Sequence, residues 1–506
     1  MQIRNLVAIM AVSAMALAGC QTTGSSGGSS GPVSASVPKT VSQRSASEQR
    51  LGDENHPKIV ARYGGVYKNA RLTNYVDDLG RRIARVSEQP NAKWTFTVLD
   101  TPTVNAFALP GGYVYVTRGL VALAEDEAEL AGVIGHEIGH VTAGHSALRQ
   151  ERGTVAGVGL LLGAIGLSVL GVDGGAAQGL LQLGQAAAGG VLANYSRSDE
   201  LDADNLGIRY LARAGYDPYA QADFLDSLGA ASKLDAKIAG RGYNANSVDF
   251  FASHPANAPR TRRAIQIAQQ NGLAVQVGAN RNEKRFLQMV DGIAYGDSEE
   301  QGFVRGRTFS HPKLRFTFQA PQGFAITNSA NAVTANGPQN ARFILDGGKD
   351  DGGSLTNYIQ RTWVPGIAKE TRVGRLGGLQ RTRINGLEAA RAVMPVEVQG
   401  RTFDALLVAV RLNGTIYRMT GLAPRGSRLL PSMEEASRTF RRLSAADAGR
   451  LKGKRIDVVT VQRGQTVASL ARRMNVDQFP EERFRVLNGL APNDTLKTGQ
   501  RVKIIR

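Results

Sequence analysis

The residues best equipped for chemistry are His136, Glu137 and His140, in the run His136-Glu137-Ile138-Gly139-His140. On a helix, residues four apart lie one turn above each other, so both imidazoles address one ion, and Glu137 sits beside it, placed to take a proton from a water held there. The chain has only six histidines in 506 residues, which makes chance a poor account of that spacing. A catalytic zinc takes three protein ligands and leaves one position for water, so a third ligand is required. His145 is near in sequence, but five residues past His140 is about 140° around a continuous helix, at about 100° per residue. It is read as a surface or packing histidine. The longer pattern H-E-x-x-H-x-x-G-x-x-H would need Gly at position 143 and His at position 146, where the chain has Ala143 and Ser146.

The better third ligand is Glu200, in Ser196-Arg197-Ser198-Asp199-Glu200-Leu201-Asp202-Ala203-Asp204. Ser196 with Asp199 is a helix-start signal, after which Glu200 and Asp204 share a face at i and i+4. One carboxylate can bind the ion while the other, a turn on, accepts the second N–H of a ligating histidine and fixes its tautomer. Asp199 and Asp202 are assigned to dipole compensation and solvation at the helix start. The chemistry such a set would carry is amide hydrolysis, with Glu137 expected to take a proton from water and deliver it to the leaving amine. Arg197 and His254 are the candidates for stabilising the developing oxyanion.

These residues need rigid supports. Asp126 and Glu129 resemble a capping box, and Leu130, Val133, Ile134 and Ile138 supply the apolar stripe of the helix that carries both histidines. Tyr113, Val114 and Tyr115 open an alternating run after Pro110-Gly111-Gly112, which reads as a strand following a turn. Two roles fit it equally: a substrate edge strand that holds an extended peptide by β-augmentation, or a plain core hairpin. Between the histidines and Glu200 lies an uncharged run from Val155 to Val172, long enough to suggest a membrane span. A single crossing would strand Glu200 on the opposite side from His136 and His140. A small-residue helical hairpin beside or over the cleft is therefore preferred to a membrane hairpin.

H-E-x-x-H followed by S-R-x-x-E-x-x-A-D resembles the metallopeptidase family of the CAAX prenyl proteases, HtpX and BepA. The likeness extends to Asn105-Ala106-Phe107-Ala108-Leu109-Pro110-Gly111-Gly112 and to Ser253-His254-Pro255, and covers about Leu51 to Leu273. It implies one zinc per chain, held by His136, His140 and Glu200, with Glu137 as general base and Asp204 behind the ligands. It also implies that His254 lies near the zinc and can restrain or gate it, whereas on sequence alone a loop histidine before Pro255 is more often structural.

The flanks supply context. Arg4 precedes an apolar run, Leu6 to Ala18, that is signal-peptide-like, and Leu17-Ala18-Gly19-Cys20 looks like a bacterial lipobox. Cys20 is the single cysteine, so no disulfide forms within the chain. Gln21 at the next position implies passage to the outer membrane in lipoproteins of this kind. The Gly/Ser-rich stretch that follows reads as a flexible tether. The net charge of +18 favours anionic neighbours. At the periplasmic face of the outer membrane those are lipid headgroups or cell-wall polymer, and nucleic acid is not expected. From Arg455 to Arg506 the order strand, helix, helix, strand is similar to a LysM module, which implies binding to N-acetylglucosamine polymers such as peptidoglycan. Gln465 stands where Asp is common and Gln478-Phe479-Pro480 separates the helices, so a purely structural or docking role stays open.

The expected fold class is α+β: a mainly helical zincin-type domain with a small edge-strand sheet, then a smaller α+β domain, then the LysM-like βααβ module. The expected layout is 1–19 leader, 20–50 lipid anchor and tether, 51–275 metallopeptidase, 283–445 an α+β domain of unknown role, and 455–506 the terminal module. The expected function is an envelope zinc endopeptidase acting on misfolded or misassembled protein substrates. Two alternatives remain: a wall-binding lipoprotein whose metal site is structural, chaperone-like or latent, and a peptidase of cell-wall cross-links.

Overall fold

The computed structural model describes residues 45–145, 195–238, 254, 266, 269 and 280–506 apart from 331, 370 and 399. The leader, Cys20, all but the end of the tether, and the apolar run 155–172 lie outside the described residues. Among the described residues no helix is long and apolar enough to cross a membrane.

Helix α1 (Ala46–Arg62) begins at a capping box in which the Ser45 hydroxyl accepts from Glu48 N and the Glu48 carboxylate accepts from Ser45 N. This corrects the boundary at residue 50: two polar side chains that look like tether satisfy the first helical amides, and helix α1 begins at Ala46, inside the stretch assigned to the tether. Helix α2 (Ala70–Arg85) is amphipathic, burying Leu72, Tyr75, Val76, Leu79 and Ile83 along one face. Strands β1 (Thr95–Leu99), β2 (Ala106–Leu109) and β3 (Tyr113–Thr117) form a sheet of order β1-β3-β2, with β3 parallel to β1 and antiparallel to β2. The reading of Tyr113, Val114 and Tyr115 as an edge strand is therefore overturned. β3 is central, both its hydrogen-bonding sides are taken, and all five of its residues are buried. Tyr113 and Tyr115 pack with Ile59 and Leu99 on the face that α1 covers, where the Tyr115 hydroxyl lies 2.8 Å from His56 Nδ1. Val114 and Val116 enter the main core instead. Alternation shows that a strand has two different faces, but it does not show whether its edge is free.

A short helix α3 (Arg118–Leu123) leads into α4 (Glu127–Thr142), the helix of the paired histidines. Asp126 caps α4 by accepting from Glu129 N at 2.9 Å, while Glu129 Oε2 accepts from Glu125 N rather than from the cap residue itself. Glu127 is fully buried and accepts from the Tyr75 hydroxyl (2.6 Å), the Tyr216 hydroxyl (2.5 Å), Arg82 (2.9 Å) and Asn282 (3.2 Å). Arg281 reinforces the same end, with its carbonyl accepting from Glu127 N and its guanidinium meeting Asp126, Asp217 and Asp223. Helices α5 (Arg197–Arg213) and α6 (Ala220–Ile238) pack against α4. Helix α7 (Glu283–Val290) also belongs to this core through Phe286, Leu287 and Val290, although the sequence placed it with the middle region.

The middle region is mostly β. Strand β4 (Ala294–Tyr295) precedes β5 (Phe303–Arg305), β6 (Thr308–His311), β7 (Phe316–Gln319), β8 (Ala325–Asn328), β9 (Ala332–Asn336) and β10 (Arg342–Lys349). Helices α8 (Leu355–Tyr358) and α9 (Val364–Ala368) flank a π-helical turn, Ile359–Trp363. Strands β11 (Gly377–Ile384), β12 (Leu387–Val398), β13 (Arg401–Leu412) and β14 (Thr415–Pro424) follow, then α10 (Leu430–Arg438) and β15 (Arg441–Arg442). They make a seven-stranded sheet of order β11-β12-β13-β14-β10-β9-β8 and a four-stranded one of order β15-β7-β6-β5. The terminal segment has the strand-helix-helix-strand order anticipated for it: β16 (Lys454–Thr460), α11 (Val467–Ala471), α12 (Pro480–Leu487) and β17 (Arg501–Ile505). β16 pairs with β4 as well as β17, and Ile456, Leu470, Phe484 and Ile504 share one core with α2, α3 and α4.

Glu127→Leu should destabilise the first core by about 3–5 kcal/mol, because Arg82 and two phenols lose a shared buried anion. The urea midpoint followed on α4 reports this. A loss under about 1 kcal/mol would show that the cluster does not anchor the helix.

Candidate metal centre

The geometry of the centre follows from how closely α4 and α5 cross. A Cβ on Gly139 would lie 3.1 Å from Ala203 O, one on Gly135 would lie 3.3 Å from Gly207, and one on Gly207 would lie 2.9 Å from His136 N. With hydrogen at all three positions the backbones come together, and side chains on facing turns meet head to head. His136 Nε2 and His140 Nε2 are 3.0 Å apart, Glu200 Oε2 is 3.6 Å from the first, and Glu200 Oε1 is 3.5 Å from the second. A tetrahedral ion with bonds of about 2.0–2.1 Å separates its ligand atoms by about 3.3 Å, so this triangle fits one face of such a site.

The outer nitrogens explain how the rings are aimed. His136 Nδ1 is 3.0 Å from Asp204 Oδ1, which also accepts from Gln221 at 2.9 Å. His140 Nδ1 is 3.0 Å from His145 Nδ1, and His145 Nε2 lies 4.0 Å from Asp199. With both Nδ1 atoms turned outward to polar partners, the two Nε2 atoms face each other across 3.0 Å, an arrangement suited to a cation between them. Electrostatics favours the ligating forms. Burial holds the His140 imidazole well below the usual histidine range. For Glu200 burial pulls upward, but His254 and the hydrogen bonds from His140 and His254 outweigh it and hold the carboxylate well below its ordinary value.

His145 departs from its expected place. The estimate from helix geometry fails because α4 stops at Thr142 and Gly144 turns the chain at φ +67°, which brings His145 back, buried, behind His140. His254 enters the centre itself. Its Nδ1 lies 2.9 Å from Glu200 Oε1 and 3.3 Å from His136 Nε2, close to the fourth corner of the tetrahedron, and its Nε2 is 3.4 Å from Glu137 Oε1. The four donors of His136, His140, Glu200 and His254 all fall within 4.8 Å of one another, and all four residues are buried. Glu137, fully buried, reaches the cluster from the same turn as His136. Arg197 is the first residue of α5.

Tyr195 was not anticipated. Its ring stacks on His140 with centroids 3.5 Å apart and lies 5.4 Å from His254 at an interplanar angle of 24°. The available signal was its position just before the Ser196 cap of the helix that carries Glu200. Gln221 was missed for a different reason: it comes from α6, and its orientation towards Asp204 is a property of helix packing.

The sequence matches the family model "Peptidase family M48" over residues 70–268 and "LysM domain" over residues 459–504. It is 30% identical over 275 residues to the metalloprotease YcaL of Escherichia coli K12, covering 52% of this chain and 95% of that protein. Similarity to the beta-barrel assembly-enhancing protease of the same organism is 31% over 206 residues, covering 39% of each. For the mitochondrial metalloendopeptidase OMA1 of Schizosaccharomyces pombe it is 29% over 218 residues, and the chain spans 59% of that protein's length.

Asp204→Ala should lower zinc affinity by about 10–100-fold, since His136 loses the acceptor that fixes its tautomer. Competition with a chromophoric chelator measures it. An unchanged affinity would remove Asp204 from the support of the site.

Proposed function

Because the chain belongs to peptidase family M48, we propose that it is a zinc-dependent endopeptidase of the bacterial cell envelope that cleaves misfolded or misassembled periplasmic or outer-membrane proteins. The observation that carries this reading is the convergence of His136, His140 and Glu200 on one point, with Glu137 on the adjoining helical position. When bound, zinc would polarise a peptide carbonyl and acidify water. Glu137 then takes the proton from that water and returns it to the leaving amine. Asp204 and His145 hold the two imidazoles in the tautomer that leaves Nε2 free to ligate.

Two structural facts refine the proposal. β2 ends the small sheet and packs against α4, so its open side, rather than β3, can receive an extended substrate by β-augmentation. His254 stands at the corner that water needs, so the arrangement is a closed one, and cleavage requires His254 to move aside. Envelope location rests on Cys20 and Gln21 in the lipobox-like sequence and on the LysM match, which favours peptidoglycan as an anchoring partner. Similarity to the beta-barrel assembly-enhancing protease supports outer-membrane proteins as the substrate class.

Glu137→Gln should retain zinc and lose about 10²–10⁴-fold in cleavage of an unfolded protein such as casein. His254→Ala should cleave faster than wild type. Full activity in Glu137→Gln would defeat the mechanism, and cleavage of muropeptides but not casein would transfer the function to wall cross-links.

A further inference from the structure

Lys503 is 1% exposed, although it lies on the last strand of a small terminal module and carries a charge. Its ammonium donates to the carbonyls of Ala122 (2.9 Å), Leu123 (3.1 Å) and Ala124 (2.6 Å). Those carbonyls end α3, where a helix leaves acceptors unmatched and its dipole favours a cation. Three residues further on α4 has begun. Glu129 is buried and Glu125 half-buried near the ammonium, and Asp126, the cap of α4, lies near enough to act on its charge. Burial pulls the lysine down to about 8, while Glu125, Glu129 and Asp126 act in the opposite direction.

A second contact meets the same turn from a different part of the module. Gly489 follows α12 at φ +58°, and a Cβ there would come within 1.9–2.0 Å of the Glu125 carboxylate. With no side chain on Gly489, the Glu125 carboxylate can lie against the backbone of the module. Glu125 N in turn donates to Glu129 Oε2 within α4. An independently tethered module has no use for a buried cation that satisfies another domain's helix end. Such a cation has to be extracted from its carbonyls before the module can leave, and that ties the two together.

We propose that Lys503 is a positioning residue of the metal centre: the terminal module is a brace that fixes the start of α4, and through it the placement of His136, Glu137 and His140. The inference rests on the peptidase reading only for its kinetic test. A misplacement of about 1 Å far from the chemistry can cost on the order of 100-fold in rate, so a loosened helix start is felt at the base.

The test uses full-length Lys503→Met, with Glu482→Gln as control, because Glu482 contributes an exposed pair to Lys237 across the same junction at 2.7 Å. Well below the melting temperature, and per folded, zinc-loaded molecule, Lys503→Met should lose about tenfold or more in kcat with KM within about twofold. Amides 127–132 should exchange at least about tenfold faster, and Glu482→Gln should match wild type in both respects. Wild-type kcat and exchange in a folded Lys503→Met would overturn the proposal. If that variant does not fold, wild type decides alone: in rising urea, amides 127–132 and 501–505 should open in one step, and earlier opening of 501–505 with α4 still protected would overturn it. If wild type cleaves nothing, the peptidase reading fails, while the exchange measurements still decide this one.

Discussion

The structure depends on a close crossing of two helices. Gly135 on α4 faces Gly207 on α5, and Gly139 faces Ala203 and Leu206, at distances that would crowd any added methyl group. That proximity lets a carboxylate sixty residues downstream reach the Nε2 atoms of two imidazoles one turn apart. A wider crossing would place the same residues on the same faces yet leave the donors too far apart to share an ion. Gly139 is thus as much a part of the His136-to-His140 motif as its histidines, for a reason of packing rather than of chemistry. The cost is three glycines in helix interiors, about 1 kcal/mol apiece relative to alanine, which the surrounding core offsets.

Buried charges hold this crossing in place from outside. Glu127 gathers two phenols and a guanidinium at the head of α4, Arg281 joins three aspartates, and Lys503 caps α3. Arg118 does similar work, pairing with Asp100 at 2.9 Å and donating to the carbonyls of Ala294 and Gly296. Each links segments far apart in sequence. A hydrophobic contact tolerates a small slide, whereas a buried ion with fixed acceptors does not, since a lost partner leaves an uncompensated charge. The pattern suits a protein that must hold several donors within tenths of an ångström of one another.

What the sequence made legible was what obeys a local period. The positions of His136, His140, Glu200 and Asp204 follow from helical spacing, and the α4 and α5 starts follow from Asp126 and from Ser196 with Asp199. His145 did not, because helical extrapolation holds only while the helix lasts and Gly144 ends it. The edge-strand reading of Tyr113 to Tyr115 failed since strand order is fixed by long-range pairing, to which alternation is blind. The start of α1 was concealed in a polar stretch whose Ser45 and Glu48 look like linker until they are seen to cap each other. The union of the terminal module with the first core was equally hidden. Lys503 occupies a strand position that any solvent-facing lysine could fill.

His254 adds a conditional element to this rigid frame. A catalytic ion needs three protein donors and a place for water, and here a fourth donor stands at that place, 2.9 Å from Glu200 and 3.3 Å from His136. On the proposed reading the closed and open forms differ by one imidazole, so a bias of about 1.4 kcal/mol between them changes the open population tenfold. A substrate strand lying along β2 would bring its own carbonyl to the same corner and compete with that imidazole directly. The discrimination then lies in the substrate's conformation: an extended, unpaired segment can enter the site, whereas a folded chain keeps its backbone groups paired and leaves His254 where it is.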